Sequence, residues 1–349
     1  MEKQMKVVMK RESKAGAELA QKPIPQIGPR DILVKVLATC ICGTDAHIYN
    51  WDEWSQKRIK PPYVMGHEFA GEVVELGSDV TNIKIGDIVS AETHIICEVC
   101  ELCRTGQGHL CKDTKIFGVD IDGTFAEYVA MPATNAWVNS KDVDPGLLCI
   151  QEPLGNAVQT ILAGETAGKT IAVVGCGPIG IFGVTVAKAV GASKVIAVEV
   201  NEYRLNLAKE LGADVVINPL KEDPIQRILE ETDGLGVDVV AEMSGSGIAL
   251  NQSLKYVKLG GRVSLLGIPS KDVTIDIAND VVFKGITIQG IVGRKMYETW
   301  YQVKGLIQSG KLNLEPVITH RLPLEDFKTG FDLMNSGNCG KVVLYPNKE

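Results

Sequence analysis

Aromatic residues make up only 5% of this 349-residue chain. That scarcity argues against a core built on large rings and predicts one packed mainly from aliphatic side chains. Positive charge is also short: 36 Lys and Arg stand against 43 Asp and Glu, giving a net charge of -7 and a pI near 5.4. Without a basic run, neither a duplex-wide nucleic-acid footprint nor an anionic membrane surface is expected as a partner. The N-terminal "MEKQMKVVMKRESK" has no continuous apolar stretch and no small-residue cleavage site, so no secretory leader is read there and a cytoplasmic chain is expected. In that compartment the nine cysteines read as reduced thiols.

Long hydrophobic runs are missing with one exception. Thr170 to Ala187 carries no charge over 18 residues, but four glycines and a proline interrupt it, which predicts strand, turn and helix rather than a membrane span. No repeat and no low-complexity tract is present.

What the chain does have is the profile of a folded protein, with 45% hydrophobic and 23% charged residues and 36 glycines. Its length favours two domains. From Asp31 to about Val138, runs such as "ILVKVLATC", "FAGEVVELG", "IKIGDIVSAE" and "FAEYVAMPA" predict an antiparallel β region broken by Gly and Asp turns. From Lys169 the texture changes to short apolar runs, "TIAVVG", "KVIAVEV", "DVVIN", "VDVVAEMSG", "RVSLLGI" and "ITIQGIVG". Several have helical patterns between them, which predicts a doubly wound parallel sheet. After about Lys295 a helical stretch and the terminal run "GKVVLYP" break the alternation, so the C-terminus is expected to return to the first domain. The fold class is therefore α/β, a β-rich domain plus a doubly wound one.

Within the second region, "VVGCGPIG" places Gly175, Gly177 and Gly180 as G-x-G-x-x-G between a strand and a helix. This pattern lets a pyrophosphate approach the backbone at a helix N-terminus. Glu199 ends the next strand, 19 residues after Gly180, where a carboxylate binds ribose hydroxyls and repels a 2′-phosphate, favouring NAD over NADP. The strand ends "LLGI" and "GIVG" (265–268 and 290–293) fall where a cofactor crevice is expected.

Two further clusters suggest metal. Cys97, Cys100, Cys103 and Cys111 form C-x2-C-x2-C-x7-C, a set that closes a tetrahedral zinc with no open position. An iron–sulfur cluster is the competing reading, but the ferredoxin run's short final gap and following proline are missing. Cys42, His67, Glu68 and Glu152 are dispersed. Cys, His and carboxylate can hold a catalytic zinc with an open position, yet each residue also has a plain structural reading. Thr44 and His47, three apart on an expected first helical turn, could pass a proton to solvent, or be an N-cap and a surface histidine. Cys40, Cys149, Cys176 and Cys339 read as packing residues.

In this order, "GHEFAGEVVELG", the four-cysteine lobe and "VVGCGPIG" resemble the zinc-dependent medium-chain dehydrogenases over essentially the whole chain. The resemblance implies a GroES-like catalytic domain from residues 1–152 and 297–349, with a structural-zinc lobe at about 94–115, and a Rossmann domain at 153–296. It implies two zincs per subunit, one held by Cys42, His67 and Glu68 and one by the cysteine lobe. It implies a proton relay through Thr44 and His47, and a homotetramer. Glu152 stands where many members have a cysteine ligand, and the resemblance leaves it as a relay residue or an alternating ligand. For NAD it points to Ile179, Glu199, Arg204, Leu266, Gly267, Ile268, Ile291 and Val292. The longer strings "CGTDAHIYNWDEWSQKRIKPPYVMGHE" and "QEPLGNAVQT" resemble the members that oxidise L-threonine to 2-amino-3-oxobutanoate. Sorbitol or 2,3-butanediol oxidation and a non-catalytic zinc- and nucleotide-binding protein are the alternatives. His94 and Arg294 are candidates for holding the substrate carboxylate.

Overall fold

The structure is a computed structural model that describes residues 3–347. Along the chain run β1 (Gln4–Lys10), β2 (Glu18–Pro23), β3 (Asp31–Cys40), α1 (Gly43–Asn50), α2 (Glu53–Arg58), β4 (Tyr63–Val64), β5 (Glu68–Leu76), β6 (Ile88–Ala91) and β7 (His94–Ile95). Next come α3 (Glu101–Arg104), β8 (Lys115–Ile116), β9 (Tyr128–Pro132), β10 (Ala136–Asn139), α4 (Pro145–Cys149) and α5 (Gln151–Ile161). The alternating region holds β11 (Thr170–Val174), α6 (Pro178–Ala189), β12 (Lys194–Val198), α7 (Glu202–Glu210), β13 (Val215–Ile217), α8 (Pro224–Glu230), β14 (Val237–Glu242), α9 (Gly247–Tyr256), β15 (Val257–Leu265) and β16 (Thr287–Gly290). The chain ends with α10 (Glu298–Gln308), β17 (Ile318–Pro323), α11 (Phe327–Ser336) and β18 (Lys341–Tyr345).

Two compact units result, one from the residues up to Glu152 together with those from Ile318 onward, the other Pro153–Val317. The first contains a seven-stranded sheet in the order β10-β6-β5-β3-β18-β17, with β9 also on β3. Its register positions the site. Cys40 at the end of β3 pairs with Glu68 at the start of β5 on one side and with Val343 of β18 on the other. The chain leaving β3 therefore carries Cys42 past the strand start that holds His67 and Glu68.

Helix α1 has only eight residues, too few to persist alone, so packing holds it. Ile48 is fully buried among Ile41, Tyr63, Phe125, Phe327, Phe331 and Val342, and Tyr49 stacks on Phe331 with ring centroids 4.1 Å apart. Burial of Ile48 alone contributes roughly 2 kcal/mol. The expectation of an aliphatic core holds for the second unit, where Tyr256 is the one aromatic in the buried cluster over the sheet. In the first unit the scarce aromatics are instead concentrated around α1, where they fix the helix.

The second unit is a six-stranded parallel sheet in the order β13-β12-β11-β14-β15-β16. Numbered from β11 this is 3-2-1-4-5-6, the doubly wound order whose direction reverses between its first and fourth strands. The uncharged run from Thr170 forms β11, a turn and α6. Among the described residues no helix is long and apolar enough to cross a membrane. The sequence reading puts the return to the first domain at 297, whereas the packing puts it at Ile318. The reason is α10, which buries Trp300 and Val303 and donates from Thr299 Oγ1 to Gln159 at 3.1 Å.

Candidate functional site

The cysteine lobe is closed at its base by the antiparallel pair β7 and β8. Its sulfurs lie 3.6 Å (Cys97–Cys111), 3.9 Å (Cys97–Cys103), 3.4 Å (Cys100–Cys103) and 4.0 Å (Cys100–Cys111) apart. Zinc–sulfur bonds of about 2.3 Å imply tetrahedron edges of about 3.8 Å, so the four side chains fit a closed zinc site. Backbone N–H groups of Cys97 and Cys100 point at the sulfurs of Cys111 and Cys97, both at 3.4 Å. Burial raises the Cys111 thiol, but backbone N–H donors and the neighbouring sulfurs overcome it and bring its pKa down to about 7, which favours the thiolate a metal requires.

The second set is brought together from separate strands and loops. One ligand atom each from Cys42, His67 and Glu68 lies within 4.8 Å of the others, with His67 6% and Glu68 0% exposed. Glu68 Oε1 is buried with no hydrogen-bond partner, while His67 Nδ1 and Asp45 Oδ1, also buried, face each other at 3.6 Å. Buried polar atoms normally have partners, and a cation held with Cys42 and His67 would supply what Glu68 Oε1 lacks. Three donors of mixed type leave a fourth position open, which fits a catalytic rather than a structural zinc. Glu152 is buried to 5% exposure and receives the Thr93 hydroxyl at 3.4 Å, but it is not part of the close three-residue group.

Electrostatics tie the set together. Burial pushes the Glu68 carboxyl up, Lys341 pulls it down, and the Glu152 charge pushes it up further. Burial disfavours a charged His67 ring, yet Asp45 and Cys42 outweigh it and hold the ring well above its usual value. The site is thus electronegative enough to want a cation.

Neither Asp45 nor Lys341 was legible as a site residue. Asp45 Oδ2 accepts from the Cys42 backbone N–H at 3.0 Å, fixing the turn that aims Cys42, while its Oδ1 lies 3.6 Å from His67 Nδ1. A Cys at the N-cap with Asp three residues on was the available signal. Lys341 enters from β18, bonds Glu68 Oε2 and donates to the Ile41 carbonyl at 3.2 Å; nothing local in the sequence announces it.

The N-cap of α1 is Cys42, so Thr44 lies inside the first turn rather than capping it. Thr44 is half-buried and His47, three residues on, is exposed, so the pair runs outward along the helix. His47 Nδ1 lies 2.5 Å from Asp52 Oδ2. Cys40 and Cys149 are both fully buried, with sulfurs 2.7 Å apart, and Cys176 and Cys339 are likewise buried.

In the second unit the glycine loop has distinct roles at each position. Gly175 adopts φ +83°, and a Cβ there would come 2.6 Å from Ser244 Cα. A Cβ on Gly180 would sit 1.9 Å from the Gly175 carbonyl, whereas one on Gly177 meets nothing within 4 Å. The first and third glycines are thus packed, while the second, the N-cap of α6, leaves the helix N-terminus open to an anion. Glu199, 8% exposed, accepts from Cys176 N at 2.8 Å on Oε2 and from Val200 N and Asn201 N on Oε1. Its carboxylate is thereby aimed at the glycine loop. Ile179 is half-buried on the first turn of α6, and the buried Arg204 Nε has no partner. Leu266 and Gly267 donate to the Glu242 carbonyl at 2.9 and 3.0 Å. Ile268 is 90% and Val292 57% exposed, with Ile291 buried between the strand ends. Apolar side chains left open at the carboxyl ends of parallel strands suit a flat ring.

The two candidates for a substrate carboxylate fare differently. Arg294 is 2% exposed and donates to Asn156 at 3.0 Å, its stem packing where Gly155 lacks a Cβ. His94 is half-buried, with its ring Nδ1 2.9 Å from the buried Glu92.

Comparison with known proteins gives the same picture at family level. Residues 28–141 match the alcohol dehydrogenase GroES-like domain, and residues 178–309 match the zinc-binding dehydrogenase family. The L-threonine 3-dehydrogenase of Bacillus licheniformis is 57% identical over 346 residues, 99% of this chain and 100% of that one. That of Thermococcus kodakarensis is 53% identical over 349 residues, the full length of both. The solved structure of 2R,3R-butanediol dehydrogenase from Bacillus subtilis superposes with a TM-score of 0.89 at 29% identity, covering 98% of this chain and 100% of that one.

Proposed function

The chain belongs to the zinc-binding dehydrogenases with a GroES-like domain, and from that premise we propose that it oxidises L-threonine to 2-amino-3-oxobutanoate with NAD as hydride acceptor. The observation that carries the substrate is end-to-end identity of 53–57% with L-threonine 3-dehydrogenases. The butanediol enzyme shares the fold at 29% identity, so fold alone does not choose between the alcohols.

Cys42, His67 and Glu68 would hold the catalytic zinc, and Cys97, Cys100, Cys103 and Cys111 the structural one. Bound there, catalytic zinc supplies a Lewis acid that lets an alcohol hydroxyl ionise near neutral pH. NAD would supply the hydride acceptor; the N-terminus of α6 would hold its pyrophosphate and Glu199 its ribose hydroxyls. Ile179, Arg204, Leu266–Ile268, Ile291 and Val292 shape the rest of its site.

The chain's own residues handle the proton. Thr44 Oγ1 accepts it from the substrate hydroxyl while releasing its own toward His47, whose exposed ring passes it to water. Glu152 keeps a second buried carboxylate whose charge acts on Glu68 and would serve as a relay residue or an alternating ligand. The protein works in the cytoplasm as a homotetramer of its 37.7 kDa chain, which sedimentation at working concentration would check.

The test is production of NADH from L-threonine by the zinc-loaded protein and by a Cys42→Ser variant. The proposal expects turnover in the first and its loss, together with one zinc per chain, in the second. Normal turnover and zinc content in Cys42→Ser would refute the assignment.

A further inference from the structure

Between α1 and α2 the chain makes a tight corner that the relay reading leaves without a role. Trp51 closes α1 in the left-handed conformation at φ 58°, donating its N–H to the carbonyls of His47 and Ile48. Asp52 follows in extended backbone and caps α2. Its carboxylate is divided between two tasks. Oδ1 accepts from Ser55 N and Ser55 Oγ, both at 3.0 Å, with Ser55 fully buried. Oδ2 faces His47 Nδ1 at 2.5 Å.

The corner is also pinned from behind. Lys10, fully buried, lies over the Trp51 ring with Nζ 4.8 Å from its centroid and donates to the Gly16 carbonyl at 2.9 Å and to that of Tyr49. Trp54, from α2, lies 6.2 Å from the His47 ring, tilted by 60°. Asp52 therefore does not swing freely beside the histidine. One of its oxygens is committed to the cap, and that commitment aims the other.

We infer that Asp52 is the third member of the proton relay, a positioning residue that fixes the tautomer and rotation of His47. This rests on the relay reading of Thr44 and His47. An ionised carboxylate only accepts hydrogen bonds, so Nδ1 must carry the ring proton and Nε2 keeps the lone pair. Nε2 is the atom that can take the proton released by Thr44 Oγ1, and the imidazolium then formed keeps its carboxylate at Nδ1. Nε2 afterwards returns the proton to water, which reaches a ring whose side chain is 62% exposed, and the starting tautomer is restored. The Asp–His pair of serine proteases follows the same logic. Among the described residues, Asp52 is the acid within ion-pair distance of this ring.

The decisive variant is Asp52→Asn. Asparagine caps a helix as well as aspartate does, so its single oxygen stays on Ser55 and its NH2 group faces His47 Nδ1. The ring must then accept there and carry its proton on Nε2, where it can no longer take one up. Nitrogen-15 spectra of histidine-labelled holoenzyme should show His47 protonated at Nδ1 in the parent and at Nε2 in Asp52→Asn. The kcat/KM for L-threonine should fall at least about tenfold with Tm and the Kd for NADH nearly unchanged. Asp52→Ser, which keeps a capping oxygen but gives the ring no partner, should show mixed tautomers and an intermediate rate. An unchanged tautomer in Asp52→Asn overturns the inference, as does a switched tautomer with full activity while His47→Ala is impaired. If the tautomer switches and both variants keep full activity, the relay reading falls while the control of the ring by Asp52 stands.

Discussion

Lys341 and Glu68, 273 residues apart in the chain, form an ion pair from which solvent is excluded on both sides. The pair occupies Oε2 of Glu68 and leaves Oε1 buried and unpartnered, in a residue within ligand reach of Cys42 and His67. A residue from the last strand thus sets how a residue at the start of β5 presents itself to a metal.

Lys341→Met would leave the Glu68 charge buried without compensation. A stability loss of roughly 3–5 kcal/mol is expected, measurable by urea unfolding of protein stripped of the three-ligand zinc, where no cation compensates Glu68. Adding Glu68→Gln to Lys341→Met should recover part of the loss, because the uncompensated charge is then gone.

Metal removal should separate the two zinc sites. Brief chelation is expected to strip the three-ligand site, reducing two zincs per chain to one and abolishing turnover while circular dichroism stays native. Cys111→Ser should instead lower the lobe's zinc content and the Tm. Metal analysis after each treatment checks both.

Glu199 should govern cofactor choice. Glu199→Gln keeps an acceptor for Cys176 N but removes the charge that opposes a 2′-phosphate. The ratio of kcat/KM for NAD over NADP is expected to fall about tenfold, equivalent to about 1.4 kcal/mol, as read from initial rates with both cofactors.

Asp238 gives a pH test of the second unit. It accepts from Thr170 N at 2.9 Å and pairs with Lys258. Burial raises its carboxyl, but these partners outweigh it and hold the pKa below the ordinary 3.8. A depressed folded-state pKa adds stability that is present above the unfolded value and lost as pH falls through the folded one. Asp238→Asn should therefore cost about 1–2 kcal/mol at pH 7 and progressively less below about pH 3.8, measured by denaturant unfolding across that range.

Which parts of the site could be read from sequence follows from how far apart the interacting residues lie. The glycine loop and the cysteine lobe are local, each made by residues a few positions apart, so spacing carried the chemistry. Cys42, His67 and Glu68 needed the family resemblance, because the pairing of β3 with β5 joins them and no spacing rule encodes that register. Lys341 and Asp45 stayed hidden for opposite reasons: one arrives from the far end of the chain, and the other looks like an ordinary acid in a first helical turn. The burial of Arg294 was likewise not readable, because it depends on the missing Cβ of Gly155, which leaves room for its stem. The alternation of strands and helices ends near residue 297 in the sequence, which points to a domain return there, whereas α10 still packs within the second unit.

The most direct test of the central claim is an initial-rate panel with the zinc-loaded protein, offering L-threonine, 2,3-butanediol and sorbitol against NAD and NADP. The account predicts that kcat/KM is highest for L-threonine with NAD, by at least about a hundredfold over either polyol, a difference of about 2.7 kcal/mol. A higher kcat/KM for butanediol or sorbitol, or a preference for NADP with threonine, would contradict it.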